Sequence, residues 1–187
     1  VIRHLNTVWL ALGITILIML ALNPQLLDRQ VIAGYLETLG PMALSVYILM
    51  SLTRAALLIP ATPFVLAGGI VFPEIPGVVL LVSYTGIVVG AYLVYSFPSF
   101  GSYDELLEEK FPDKIALLKR KMQSRHVYWF IMGWSAFPLV PTDAVCYVAG
   151  IARISAVKTA AAVLIGEIPI VIFYVFVGAE LGEWLRA

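Results

Sequence analysis

Apolar residues in this chain come in long blocks, and proline and glycine decide where each block stops. The first block, 7–23, ends at Asn23-Pro24 and has the length of one membrane span. Residues 25–40 (QLLDRQVIAGYLETLG) set Asp28, Arg29 and Glu37 among Leu26, Leu27, Ile32 and Leu36, which predicts a short interfacial amphipathic helix. Apolar sequence reopens at Pro41, runs through Leu58, is broken by Pro60 and Pro63, and closes at Gly68-Gly69. A span needs roughly 20 residues. The arms 41–58 and 63–72 are too uneven and interrupted to be two spans, so they predict a re-entrant hairpin. Residues 77–97 form a clear span, in which Gly86 and Gly90 make a GIVVG packing face.

Charge is concentrated in 102–126. Ser102-Tyr-Asp-Glu105 reads as a capping box with Glu108 and Glu109 behind it. Pro112 restarts a helix whose Ile115, Leu118 and Met122 oppose Lys114, Lys119, Lys121 and Arg125. Such a segment is a solvated connector lying on the membrane, with recognition of anionic lipid as the alternative. Residues 127–139 are the first arm of a second hairpin, turning at Pro138-Leu-Val-Pro141 and returning to Gly150; 156–180 is a last span holding Gly166, Glu167 and Pro169. The chain therefore divides into 1–40, 41–98, 99–126 and 127–187.

Placing Arg3, the 110–125 cluster, Arg153 and Lys158 in the cytoplasm makes the two hairpins enter from opposite faces. Gly69 precedes Gly86 by 17 residues and Gly150 precedes Gly166 by 16, in keeping with an inverted repeat. The expected fold is an all-α polytopic membrane protein, an inverted repeat with two re-entrant helical hairpins facing each other across the bilayer.

Composition supports the membrane reading: 61% of the 187 residues are hydrophobic and 13% charged, against about a quarter charged in soluble domains. The first block is read as an uncleaved span of a multi-pass protein in a prokaryotic cytoplasmic (plasma) membrane. Twelve basic and twelve acidic residues cancel, and no basic stripe interleaves with aromatics, which argues against a nucleic-acid partner. Cys146 alone makes no internal disulfide, and with His4 and His126 it gives no metal spacing, so no metal or cofactor is expected. No HExxH, GxSxG or Walker pattern nominates an enzyme. A homo-oligomer is compatible with all of this.

The chemistry lies in the two broken stretches, IPATPFVLAGG (59–69) and VPTDAVCYVAG (140–150). Unpaired backbone is costly in hydrocarbon, so broken helix at membrane depth is buried in protein or lines a wet cavity. Arg54, Asp143 and Glu167 are the charges most deeply set in apolar sequence, and an intramembrane ionisable group reads as functional. Either they bind substrate and exchange protons, or Arg54 pairs with a carboxylate to lock the hairpins. Thr62, before Pro63, and Thr142 or Asp143, after Pro141, are expected to cap the two returning half-helices. Two half-helix N-termini and one arginine favour a phosphate-bearing lipid headgroup. Tyr147, like Cys146, faces the site or a neighbouring helix. Pro169 is a kink or a gate.

Taken together, Arg54 with Pro60 and LAGG (66–69), FPLVPTDAVCYVAG (137–150) and LIGEIPIVIFYVFVG (164–178) resemble the DedA / SNARE-associated Golgi (VTT-domain) superfamily over about 41–182. The resemblance implies facing re-entrant hairpins and lipid translocation. Eukaryotic relatives are lipid scramblases, and bacterial relatives are implicated in undecaprenyl-phosphate recycling and proton-dependent membrane homeostasis. Ser135 stands where the family commonly has an arginine, and Thr62 where DedA proper carries an acid, so the pattern is nearer the Golgi-protein branch. The expected function is a scramblase- or flippase-type transporter of phospholipid or polyprenyl-phosphate headgroups. The alternatives are a proton- or ion-coupled transporter of a small solute and a non-transporting scaffold.

Overall fold

The computed structural model describes residues 39–57, 59–99, 103–137 and 141–186 and scattered positions from 8 to 38, with side chains through Glu180. The first span, the amphipathic helix before residue 39, Ser102 of the capping box and Pro138 lie outside the continuously described residues. Every regular element among the described residues is helical. A 3-10 turn, Gly40–Met42, leads into α1, Ala43–Thr53, which tightens into a second 3-10 turn, Arg54–Leu57. Then come α2, Thr62–Val71; α3, Pro76–Ser96; α4, Tyr103–Lys110; α5, Pro112–Met122; α6, Val127–Ser135; α7, Thr142–Ile151; and α8, Ala156–Arg186. Proline occupies the first turn of α2, α3 and α5, where its missing N–H leaves no helical bond unmade.

Gly40–Leu57, Pro76–Ser99 and Ala156–Glu180 are long and apolar enough to cross a membrane. The protein is therefore read as integral to a membrane, with several spans. Gly40–Leu57 was expected to be an interrupted arm; it is one helical stretch, because the chain narrows from α to 3-10 geometry at Arg54 and keeps its hydrogen bonding. α2 and α7 have ten residues each, about 15 Å, or half of a ~30 Å hydrocarbon core. Leu49, Leu81, Phe173 and Trp129 are among the large apolar side chains on the outside, as lipid contact requires.

α3 and α8 pack together at the centre. α1 lies on α3 and α6 on α8, whereas α2 crosses over to α8 and α7 to α3. α1 and α2 therefore barely touch each other, and neither do α6 and α7. Small residues allow these approaches. A β-carbon on Gly86 would come 2.7 Å from the Ser51 carbonyl oxygen, and one on Gly90 2.7 Å from Ala55 Cβ, so the GIVVG face does pack, against α1 and its 3-10 turn.

At the far end of α7, Arg153 adopts φ +54°, a left-handed conformation that usually falls to glycine. Two backbone bonds require it, Arg153 N–H to Gly150 C=O at 3.0 Å and Ile154 N–H to Ala149 C=O at 3.3 Å. The reason for arginine is its partner: its guanidinium donates to the buried Asp104 carboxylate at 2.9 Å, tying α4 to this corner. That bond raises the already high pKa of Arg153. Arg153→Gly relieves about 1 kcal/mol of backbone strain while losing the tie, and Arg153→Ala loses the tie and keeps the strain. Thermal unfolding in detergent should therefore rank wild type above Arg153→Gly, and Arg153→Gly above Arg153→Ala.

Candidate functional site

The turn between α1 and α2 is built around Arg54. Tyr47, Ser51 and Arg54 follow one another at i, i+4 and i+7, so they share one face of α1 and its extension. Pro60 stops the helix. The Ile59 N–H bonds back to the Arg54 carbonyl at 3.1 Å, and Arg54 Nη1 donates to the Ile59 carbonyl at 3.0 Å. The guanidinium thus satisfies a carbonyl that the proline break would leave bare in apolar surroundings. This uses one of its five N–H donors. Arg54 is 7% exposed.

The turn between α6 and α7 has its own clasp, Trp134 Nε1 donating to the Pro141 carbonyl at 3.4 Å. Pro141 is extended and α7 starts at Thr142, without a side-chain cap. The cap expected of Thr142 or Asp143 is not made. Both lie inside the first turn, where the Thr142 side chain is near the Glu167 carboxyl. Thr62 is corrected likewise. Ala61 is already in right-handed helical conformation, so Thr62 is inside α2 and caps nothing, and the N–H groups of Phe64 and Val65 both bond the Ala61 carbonyl.

Three elements meet at the arginine. Asp143, in the first turn of α7, is its strongest electrostatic neighbour, followed by Glu167 in α8 and Tyr47 in α1. Glu167 is 9% exposed and Asp143 half-buried. Among the described residues the ion pairs are Lys119 with Glu108 and Arg153 with Asp104 and Glu105; Arg54 forms none. The three charges are close but not locked together. One cation among two carboxylates leaves the group short of a positive charge unless a carboxyl holds a proton.

Around this group lie Tyr47, Ser51 and Ser83, which sequence reading passed over, and Ser135 and Cys146, which it named. The Tyr47 hydroxyl is 3.4 Å from Ser83 Oγ in α3, and its ring end occupies the space that a β-carbon on Gly68 would need. Ser51 Oγ and Ser135 Oγ are buried with no hydrogen-bond partner. Such a hydroxyl costs about 1–3 kcal/mol in an apolar interior. Cys146, fully buried, borders Asp143 and Glu167. The signal for Tyr47 and Ser51 was present as the i, i+4, i+7 series ending on Arg54.

Of the other expected positions, Ser135 packs against Gly166, and Gly150 admits the Tyr95 carbonyl of α3. Gly69 abuts Val175 and Gly178 of α8. Tyr147 is half-buried at the edge of the core. Pro60, Pro141 and Pro169 are exposed and Pro63 is half-buried; α8 runs on through Pro169, and Tyr84 donates to the Ile168 carbonyl beside it at 3.2 Å.

A model of the VTT domain matches residues 59–180, well over half of the chain. The chain belongs to the VTT-domain family. Among curated proteins none matches it, and among solved structures none does. The matched VTT domain begins at Ile59, the carbonyl partner of Arg54, and ends in α8, so it takes in Asp143 and Glu167 and leaves α1 just upstream. This is narrower at the start than the expected 41–182.

Proposed function

We propose that this VTT-domain protein moves phosphate-bearing lipid headgroups, of phospholipid or polyprenyl phosphate, across the bilayer in the manner of a scramblase or flippase. One observation carries the reading: a buried arginine at a helix break, near two carboxylates from two other elements and ion-paired with neither. Its unused donors suit phosphate oxygens. Thr62 opens α2, Ser135 ends α6 beside the second turn, and Tyr147 lies further along α7. In this reading the hairpins are re-entrant halves of an inverted repeat, one in 41–98 and one in 127–187, on either side of the connector 99–126. The half-bilayer lengths of α2 and α7 favour this, as does their exchange of partners, each packing on the span of the other half. The membrane is a prokaryotic cytoplasmic one, and the Golgi-protein branch is favoured over DedA proper by Ser135 and Thr62.

Proteoliposomes carrying a fluorescent phospholipid provide the test. The protein is expected to speed its equilibration between leaflets at least about tenfold over liposomes holding an inert helical bundle, and a fluorescent diacylglycerol lacking phosphate should gain nothing. Equal rates for protein and inert bundle refute the proposal. The excess of carboxylates over arginine supports a second reading, proton-coupled transport of a small solute. It predicts pH-driven uptake without lipid movement.

A further inference from the structure

Three hydroxyls line the seam between α1 and α3 and lead from Arg54 back toward the start of α1. Tyr47 and Ser51 lie on the Arg54 face of α1, about 10 Å from end to end, and Ser83 meets them from α3. All three are buried, Tyr47 at 1% and the serines at 4% exposed. Burial of this depth normally comes with good hydrogen bonds. Here the Tyr47–Ser83 bond is long, at 3.4 Å, and Ser51 Oγ has no partner.

α2 brings no buried polar side chain to its seam with α8. Gly69 and Gly178 bring the backbones together there, beside the buried apolar Val65, Ile70 and Val175. Parting that seam would expose apolar surface and backbone. Parting α1 from α3 also separates close contacts, Gly86 from the Ser51 carbonyl and Gly90 from Ala55, but it wets hydroxyls that the closed state serves poorly, which offsets part of that cost.

We infer that the α1–α3 seam is the gate by which a phosphate headgroup reaches Arg54, with Tyr47, Ser51 and Ser83 as its polar lining. The acyl chains remain in the lipid facing Leu49 and Leu81, which are exposed on these same helices. The inference rests on the lipid-transport reading for its cargo, and on the hydroxyl geometry alone for its location.

The test is the triple variant Tyr47→Phe/Ser51→Ala/Ser83→Ala. A polar gate made apolar should be more stable and slower: the thermal midpoint rises by about 2–4 °C, while phospholipid transfer falls about tenfold. A lowered midpoint would mean that the hydroxyls brace the seam, and unchanged transfer would place the headgroup path elsewhere; either result overturns the inference. A second measurement needs no transport. Ser51→Cys in a Cys146→Ala background, reconstituted in liposomes, should react with a small water-soluble methanethiosulfonate at least about tenfold faster than Val175→Cys in the α2–α8 seam. Equal protection at both positions overturns the gate. Labelling at position 51 in a protein whose parent moves no lipid supports the gate and overturns the lipid cargo.

Discussion

Arg54→Ala is expected to abolish phospholipid transfer in proteoliposomes and to lower the thermal midpoint, whereas Arg54→Gln should abolish transfer with a smaller loss of stability. The difference follows from the two jobs of the guanidinium. One N–H satisfies the Ile59 carbonyl at the proline break, a bond from a charged donor worth about 1.5–3 kcal/mol. Alanine leaves that carbonyl bare, while the glutamine amide can still reach toward it. The positive charge beside Asp143 and Glu167 is lost in both. If that charge holds the phosphate, transfer should fall about 100-fold in each variant, equivalent to about 2.8 kcal/mol of transition-state stabilisation. A glutamine variant that keeps half or more of the parental rate would reduce Arg54 to a clasp for the turn, and the phosphate reading would go with it.

Gly69→Val should be the most damaging substitution outside the charged group. A β-carbon there would come 2.6 Å from the Val175 carbonyl oxygen and 3.0 Å from the Gly178 α-carbon. Both are backbone atoms of α8 and cannot swing aside as a side chain would. Gly178 has the reciprocal constraint, 2.7 Å from the Leu66 carbonyl. Helices α2 and α8 must therefore move apart along their whole contact, with an overpacking cost of about 3 kcal/mol or more. In a chain of this size that corresponds to roughly 6–12 °C in thermal midpoint. Gly133→Ala is the matched control. Nothing lies within 4 Å of its added β-carbon, and the midpoint should hold or rise slightly. Monodispersity after heating in detergent reads both, and a Gly69→Val protein as heat-resistant as its parent would show that α2 and α8 do not pack this closely.

The spans α3 and α8 were legible because lipid asks only for length and apolarity, and both are visible without any partner. The breaks before α2 and α7 were legible because proline cannot donate to a helix. Arg54, Asp143 and Glu167 stood out because charges are rare in such sequence, and the chain does bring them near one another. The caps were misread by a single residue. Ala61 enters α2 already helical, and α7 starts at Thr142 itself, with Pro141 in the cap position. Tyr47 and Ser83 escaped notice because tyrosine and serine are ordinary in membrane helices, and only the partner across the seam gives them meaning. Glycine spacing foretold close approach but could not say to what. That α2 seeks α8, and α7 seeks α3, depends on distances in space that no local pattern encodes.

The same exchange of partners has a consequence for biosynthesis. α2 is made before α8, but the surface that receives it belongs to α8, which follows every other described helix along the chain. Until residues 156–180 are inserted, Arg54 lacks Glu167 and Gly69 lacks the Val175 and Gly178 backbone that it packs against. The nascent protein must hold an unfinished helix break at the translocon while everything between α2 and α8 is made, and the insertion of α8 then completes the packing of both halves.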